Sequence, residues 1–459
     1  MNYEKVILIA IDTLRADHLG CYGYDFPTSP FIDELAEEGG KFSRCFASDV
    51  PTPPSFSALL TGTRGIHNGI TGFNNGPEDF RPGTRPLPEL LREAGYRTGA
   101  FSNLLYPSPW LVRGFQDIYP PGNRFQGGTA EEVTGEGLSW LENHGREDFF
   151  LFLHYWDPHC PYRERSREKY RKLFSPADYE GLIPDMKYVE EDEFLRIFYD
   201  RKHETMEDPL EASENMALYD ANIRYVDDQI ERLFSGLKEL GLAEDTLVVL
   251  TSDHGEAFGE YGFWDHWSSY KNVSHVPLVF WGEGIKSGNI TDLVQGIDVA
   301  PTILELTGTS LPEGLDGNSL VPAMGGSDEA GRGWAVVNSD STVIQRMYVE
   351  GQEALVFTLT NSGWDHIDSY ELFDLDEDPD QVEDLSGKRE GRAKELRIKL
   401  ANWEAKALGN RPDPLRKSVE IGGWMWPGLL RLLDAEERER FIKRYPELKP
   451  AAARLLERS

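Results

Sequence analysis

Cysteine is scarce in this chain of 459 residues. Cys21, Cys45 and Cys160 are scattered thiols, odd in number and without metal-like spacing, so they exclude a disulfide framework and suit a reducing compartment. Positive charge is also short: 47 Lys+Arg stand against 79 Asp+Glu, a net charge of −32. That field excludes nucleic acid and an anionic membrane as partners. It serves solubility, and a high-salt host is a second reading. An anionic substrate approaches against it, so any anion site needs a local cation or metal. Long apolar runs are missing too. VILIAI before Asp12 is too short for a signal sequence or a membrane span, and nothing later reaches ~18 apolar residues. A soluble, cytoplasmic chain is expected.

What is present is a repeated pattern of buried strand and polar end. KVILIAI at 5–11 is an apolar, β-branched run, as in a strand covered on both faces, and Asp12 follows it. RTGAF at 97–101 leads to Ser102-Asn103, DFFLFLHYWDPH runs into Asp157-Pro158-His159, and TLVVL at 246–250 ends at Thr251-Ser252-Asp253-His254. Helix-like segments at 28–38, 86–94 and 213–240 lie between them. The alternation predicts an α/β fold with a large, mostly parallel sheet flanked by helices, whose strand ends are where ligands bind. After about residue 332 the texture changes. Segments 334–338 and 343–360 alternate like antiparallel strands and 386–408 reads as an amphipathic helix, which predicts a catalytic domain at 1–331 and a smaller α+β subdomain at 332–410. A helical tail at 411–459 carries the apolar cluster GGWMWPGLLRLL, expected to dock on the body, with a dimer contact or a lid as alternatives.

The stretch VPTPPSFSALLTG at 50–62 places Thr52 before a Pro-Pro turn and a short helix, with Ser55 as the expected N-cap. A hydroxyl at such a turn faces backbone N–H groups that favour anions. Alone it is an ordinary turn residue. SDHGE at 252–256 supplies Asp253 and His254, which with Asp12 and the Thr52 oxygen form an O,O,O,N set suited to one hard or borderline divalent ion such as Ca, Mg, Mn or Zn. A good zinc site lowers bound water to a pKa of about 7, and a bound hydroxyl is acidified in the same sense. Each residue singly is a common loop group; four at strand ends favour the metal reading. His159 and His266 are candidates to protonate a leaving oxygen or hold the anion, and Asn103 to donate to a non-bridging oxygen. His275 is a ligand candidate or a strand-edge residue; a second ion would use Asp157, His159 and His275. His154 is read as packing against the site and His67 as structural.

These blocks together resemble the sulfatase family within the alkaline-phosphatase superfamily. IAIDTLRADHLGCYGY at 9–24 is similar to its opening block, with Asp12 the implied first metal ligand, and TPPSFSALLTG at 52–62 to its nucleophile signature. LREAGYRTGAF, DPHCPY, YDANIRYVDDQI, SDHGE, GIDVAPTILELTG, LDGNSL and YELFDLDEDPDQVEDL follow in the family's order. The departures bear on chemistry. Sulfatases proper carry Cys or Ser, converted to formylglycine, where this chain has Thr52; a methyl on Cβ forbids that aldehyde. They carry Arg where Phe56 stands, Lys and His at Asn103 and Leu105, and Lys at His266. The resemblance thus implies a hydrolase of sulfate or phosphate/phosphonate esters with a Thr nucleophile. It favours phosphodiester or phosphonate substrates, derived from small molecules, carbohydrate or lipid. The alternatives are a phosphoglycerol- or phosphoethanolamine-type transferase, against which the lack of a membrane span counts, and a non-catalytic binding protein on the same fold. A homo-oligomer is allowed.

Overall fold

The run KVILIAI becomes the central strand Lys5–Ile11 of the computed structural model, which describes residues 2–73, 75–122, 127–165, 167–179, 186–326, 331–423 and 425–457. Its side chains alternate between two apolar clusters. Ile7, Ile9 and Ile11 pack with the long helix Ala212–Glu239, while Val6, Leu8 and Ala10 pack with Phe42, Phe56 and Leu59 on the other face. Burial on both faces explains why the strand reads as continuous apolar sequence. It is paired in parallel to Phe149–Tyr155 on one side and Thr246–Thr251 on the other.

Among the described residues the larger sheet has nine strands. Its order is His275–Val276, Gly40–Phe46, Leu278–Trp281, Thr246–Thr251, Lys5–Ile11, Phe149–Tyr155, Arg97–Phe101 and Asp117–Tyr119, with Gly288–Gln295 also paired to Gly40–Phe46. Five pairings are parallel and three antiparallel, all three involving the short strands around Leu278–Trp281. The α/β, mostly parallel architecture expected from the sequence is the one observed. The four strands whose polar ends stood out in sequence are consecutive in space, although their chain order differs.

The second sheet is antiparallel from Ala335–Asp340 through Ile344–Glu350 and Glu353–Thr360 to Tyr370–Asp374, and the helix Glu390–Leu408 covers one face with Ala393, Leu396 and Leu400. Its remaining strand is Asp49–Val50, immediately before Thr52 and parallel to Ala335–Asp340. The two sheets are thereby stitched together next to the turn that carries Thr52. In the tail, Trp426, Leu429 and Leu430 are buried against Phe198, Trp364 and Phe441, so this part of the apolar cluster docks on the body; Trp424 lies outside the described residues. Fully burying such side chains contributes roughly 1.5–3 kcal/mol each. Among the described residues no helix is long and apolar enough to cross a membrane.

Candidate active site

Strand register builds the centre of the site. Ala10 lies opposite both Thr251 and His154 in the parallel ladders, so Asp12 and Asp253 leave adjacent strands at the same level. The turn after Asp12 is held by Thr13 N–H donating to Asp253 Oδ1 (3.2 Å) and Leu14 N–H donating to Ser252 Oγ (3.0 Å). Tyr219 of the long helix braces the same turn, donating to Thr13 O (2.7 Å) and accepting from Arg15 N–H (2.9 Å). Thr13 sits at φ 57°, a costly conformation for a β-branched residue, and this enforced turn brings Asp12 round toward Asp253.

Thr52 is the first residue of the helix Thr52–Thr61. The expectation of Ser55 as N-cap is corrected: the helix starts earlier, and Ser55 Oγ donates instead to Asp253 O (2.6 Å), tying this helix to the turn that carries Asp253. Pro53 and Pro54 occupy the first turn, where a missing N–H costs nothing to the helix. Ser55 N–H is bonded to Pro51 O (3.0 Å), so the anion-binding N–H array expected of this helix end is largely absent. Charge stabilisation at Thr52 has to come from elsewhere.

One ligand atom each from Asp12, Asp253 and His254 lies within 4.8 Å of the others, all three buried. Thr52 Oγ1 is 3.1 Å from His254 Nε2. His254 Nδ1 is 3.0 Å from the carbonyl of Gly255 and donates to it, which turns Nε2 toward Thr52 and toward Asp253 Oδ2 at 3.1 Å. Asp12 Oδ1 and Asp253 Oδ2 are buried without hydrogen-bond partners. Burial, then the Asp253 carboxylate, push the Asp12 carboxyl well above the ordinary carboxylate range. Orphaned carboxylate oxygens, an imidazole nitrogen and a neighbouring hydroxyl are a donor set that a divalent ion can satisfy.

His154, read from sequence as packing, has a more definite place. Its Nε2 is 3.1 Å from Asp12 Oδ2 and its Nδ1 3.0 Å from Ser102 Oγ, so the ring orients the Asp12 carboxylate. Burial, with Phe56 packed edge-on at 4.7 Å, holds this imidazole down at about 4 and therefore neutral. Phe56 thus contributes an apolar wall and no charge. His266 lies over His254 with ring centroids 4.3 Å apart, and His159 is 5.5 Å from His266 and stacked on Trp156. His159 donates from Nδ1 to Cys160 O (2.6 Å); burial, then the charge of His266, keep it well below the usual imidazole range. Burial also lowers His266, opposed by Asp265, Asp12 and Asp253. Asn103 follows Ser102, and both atoms of its buried amide lack partners, as for a group awaiting a ligand.

Two candidates are not brought together. His275 spends its Nε2 on Ser43 O (2.9 Å) in the edge strand, with four strands between it and Phe149–Tyr155, so the second-ion set of Asp157, His159 and His275 does not assemble. Asp157 accepts from Ala130 N–H (2.9 Å) and pairs with Arg165 at 3.5 Å. His67 is structural as expected, bonded to Asp316 (2.7 Å) and to Ala407 O (2.9 Å). Sequence reasoning missed a second buried cluster, Cys160, Glu256 and Asp265, and the Lys202 ammonium paired with Asp265. Glu256 lies within SDHGE and Cys160 within DPHCPY, so the motifs flagged the place. Lys202 lies in Glu193–Met206, a helix whose sequence carries no motif.

Comparison with known proteins follows the same outline. Residues 4–309 match the family model described as Sulfatase, and residues 259–406 match the N-sulphoglucosamine sulphohydrolase C-terminal model. The N-acetylglucosamine-6-O-sulfatase of Bacteroides thetaiotaomicron is 24% identical over 89% of this chain and 88% of its own length. A phosphonate monoester hydrolase from Silicibacter pomeroyi superposes with a TM-score of 0.73 at 21% identity, covering 88% of this chain and 96% of that one. A structure solved with its substrate D-glucosamine-2-N,6-O-disulfate gives 0.69 at 22% identity, covering 90% and 99%. Relatives thus include both sulfur and phosphorus ester hydrolases.

Proposed function

The chain belongs to the sulfatase family of ester hydrolases, and from that premise we propose that it cleaves phosphodiester or phosphonate esters, with Thr52 as the attacking residue and one divalent ion beside it. The observation that carries this is Thr52 Oγ1 at 3.1 Å from His254 Nε2, beside the unpartnered oxygens of Asp12 and Asp253. Asp12, Asp253, His254 and the Thr52 oxygen would hold the ion. When bound, a divalent ion acidifies a coordinated hydroxyl and offsets charge on the ester oxygens.

The chain's own groups define the rest of the reaction. Thr52 Oγ1 gives its proton up to solvent and attacks phosphorus in line, its bond to phosphorus forming as the bond to the leaving oxygen breaks. Asn103 offers an unpartnered amide to a non-bridging oxygen. Of the two imidazoles, His266 is the better donor to the leaving oxygen, because Asp265, Asp12 and Asp253 oppose the lowering caused by burial, whereas the neighbouring His266 charge lowers His159 further. Water then attacks phosphorus, breaks the Thr52–O–P bond and frees Thr52. Two features support phosphorus over formylglycine-type sulfate chemistry: Thr52 cannot become an aldehyde, and Phe56 puts a buried ring where the family carries a guanidinium. The substrate read this way is a small or carbohydrate- or lipid-derived anionic ester.

The test is a metal-replete panel of para-nitrophenyl phosphate, phosphodiester, phosphonate and sulfate esters, run on the parent, Thr52→Ser and Thr52→Ala. The diester or phosphonate is expected to be the fastest substrate, with Thr52→Ser active. A sulfate ester turned over fastest, or Thr52→Ala as active as the parent, overturns the reading.

A further inference from the structure

A second buried acidic cluster lies against the leaving-group side of the site. Cys160, Glu256 and Asp265 each bring a ligand atom within 4.8 Å of the others. Cys160 follows the strand Phe149–Tyr155, Glu256 ends the SDHGE turn, and Asp265 closes the small hairpin in which Ala257 pairs with Asp265. Glu256 is fully buried and its Oε2 has no hydrogen-bond partner; its Oε1 is 3.4 Å from His266 Nδ1. Into this cluster the chain brings a cation of its own. Lys202, from the helix Glu193–Met206, forms an ion pair with Asp265 Oδ1 and lies 5.4 Å from the Trp267 ring. Asp265 is at φ 61°, a conformation few non-glycine residues adopt, and the buried ion pair fastens it there, next to His266.

The geometry points to Lys202 as a tethered cation that takes the place of a second divalent ion at Cys160, Glu256 and Asp265, keeping this a one-ion site. Burial works against the ammonium, yet its ion pair with Asp265 holds it charged. Likewise burial works against an ionised Asp265, and Lys202 nevertheless keeps it anionic. Remove the ammonium and the three ligand atoms remain, two carboxylates and a thiol, with the thiol proton passing to solvent as an ion binds. That is a mixed O,O,S set, which suits zinc or cobalt better than magnesium or calcium. The sulfur separates it from the Asp12, Asp253, His254 and Thr52 set, which holds none.

Cobalt(II) tests this directly, since a thiolate ligand gives a near-ultraviolet charge-transfer band that oxygen and nitrogen ligands do not. The parent, Lys202→Gly, Lys202→Arg and the double variant Lys202→Gly/Cys160→Ser are loaded with cobalt, and bound metal is counted per chain. Lys202→Gly is expected to gain one ion over the parent and to show the band. Lys202→Arg is expected to show neither, and the double variant to lose the band. A band in the parent, or no gain in Lys202→Gly, overturns the proposal. So does a Lys202→Gly chain that fails to fold even with cobalt, because the cluster then cannot accept an ion in place of the ammonium. The increment is the readout rather than the total: a parent that binds no cobalt overturns the Thr52 metal reading and leaves the band to judge this one.

Discussion

Two acidic corners lie on either side of the His254 and His266 rings, whose centroids are 4.3 Å apart, and they solve the same electrostatic problem in opposite ways. Around Asp12 and Asp253 the carboxylates keep unpartnered oxygens, and Nε2 of His254 is turned toward Asp253. Around Glu256 and Asp265 an ammonium from a distant helix is already in place. Ionised groups out of water are costly unless paired, by several kcal/mol each even after relaxation. A corner left uncompensated is therefore built for a ligand that arrives, and a compensated one for geometry that stays. Acid content alone does not separate them, nor do orphaned oxygens, since Glu256 Oε2 is one; the ammonium of Lys202 does.

The sharpest break in this contrast is Thr52→Ala, which removes the attacking oxygen while leaving both corners charged. Turnover should fall by at least about 10³-fold, measured on the diester or phosphonate under saturating metal. Asp12→Asn strikes the uncompensated corner itself. Bound divalent metal should fall well below one per chain in direct metal analysis, and turnover with it; unchanged metal content would end the ligand assignment. His154→Phe leaves every ligand in place but takes away the hydrogen bond to Asp12 Oδ2. Metal affinity should weaken by roughly 10–100-fold, the usual cost of losing a group that orients a ligand, and equal affinity would make His154 mere packing.

The smallest effect concerns stability beside the compensated corner. Burial, then the charge of Lys202, hold His203 down at about 4 against an ordinary 6.5, so the fold favours its neutral form. Its contribution is whole above pH 6.5 and is lost as pH falls toward 4, because the unfolded chain binds the proton first. His203→Phe should flatten that part of the acid limb by on the order of 1–3 kcal/mol in denaturant titrations at pH 7 and pH 4. A difference between variant and parent that does not change with pH would contradict it.

The polar strand ends were legible because a strand buried on both faces leaves only its end free to carry Asp12, Asn103, Asp157 or Asp253. The motif SDHGE likewise named two ligand candidates by adjacency alone. His154 was underread for a related reason: it lies inside an apolar strand, and only the register opposite Ala10 shows that it reaches Asp12. His275, a ligand candidate or a strand-edge residue by sequence, is the latter, and only the sheet order decides it, since a His at a strand start looks the same whether the strand is central or at the edge. Ser55 was assigned a local cap because its long-range partner, the carbonyl of Asp253, is invisible along the chain.

Apolar periodicity and the polar residue after each run are local properties, so the amino-acid order alone determined that an α/β sheet would form and present carboxylates, imidazoles and a hydroxyl at its strand ends. Which of those groups meet was decided by strand order and parallel register, which set Asp12, His154 and Asp253 side by side. The Lys202 ion pair was likewise decided only in three dimensions, because charge compensation depends on distance through space and not on separation along the chain.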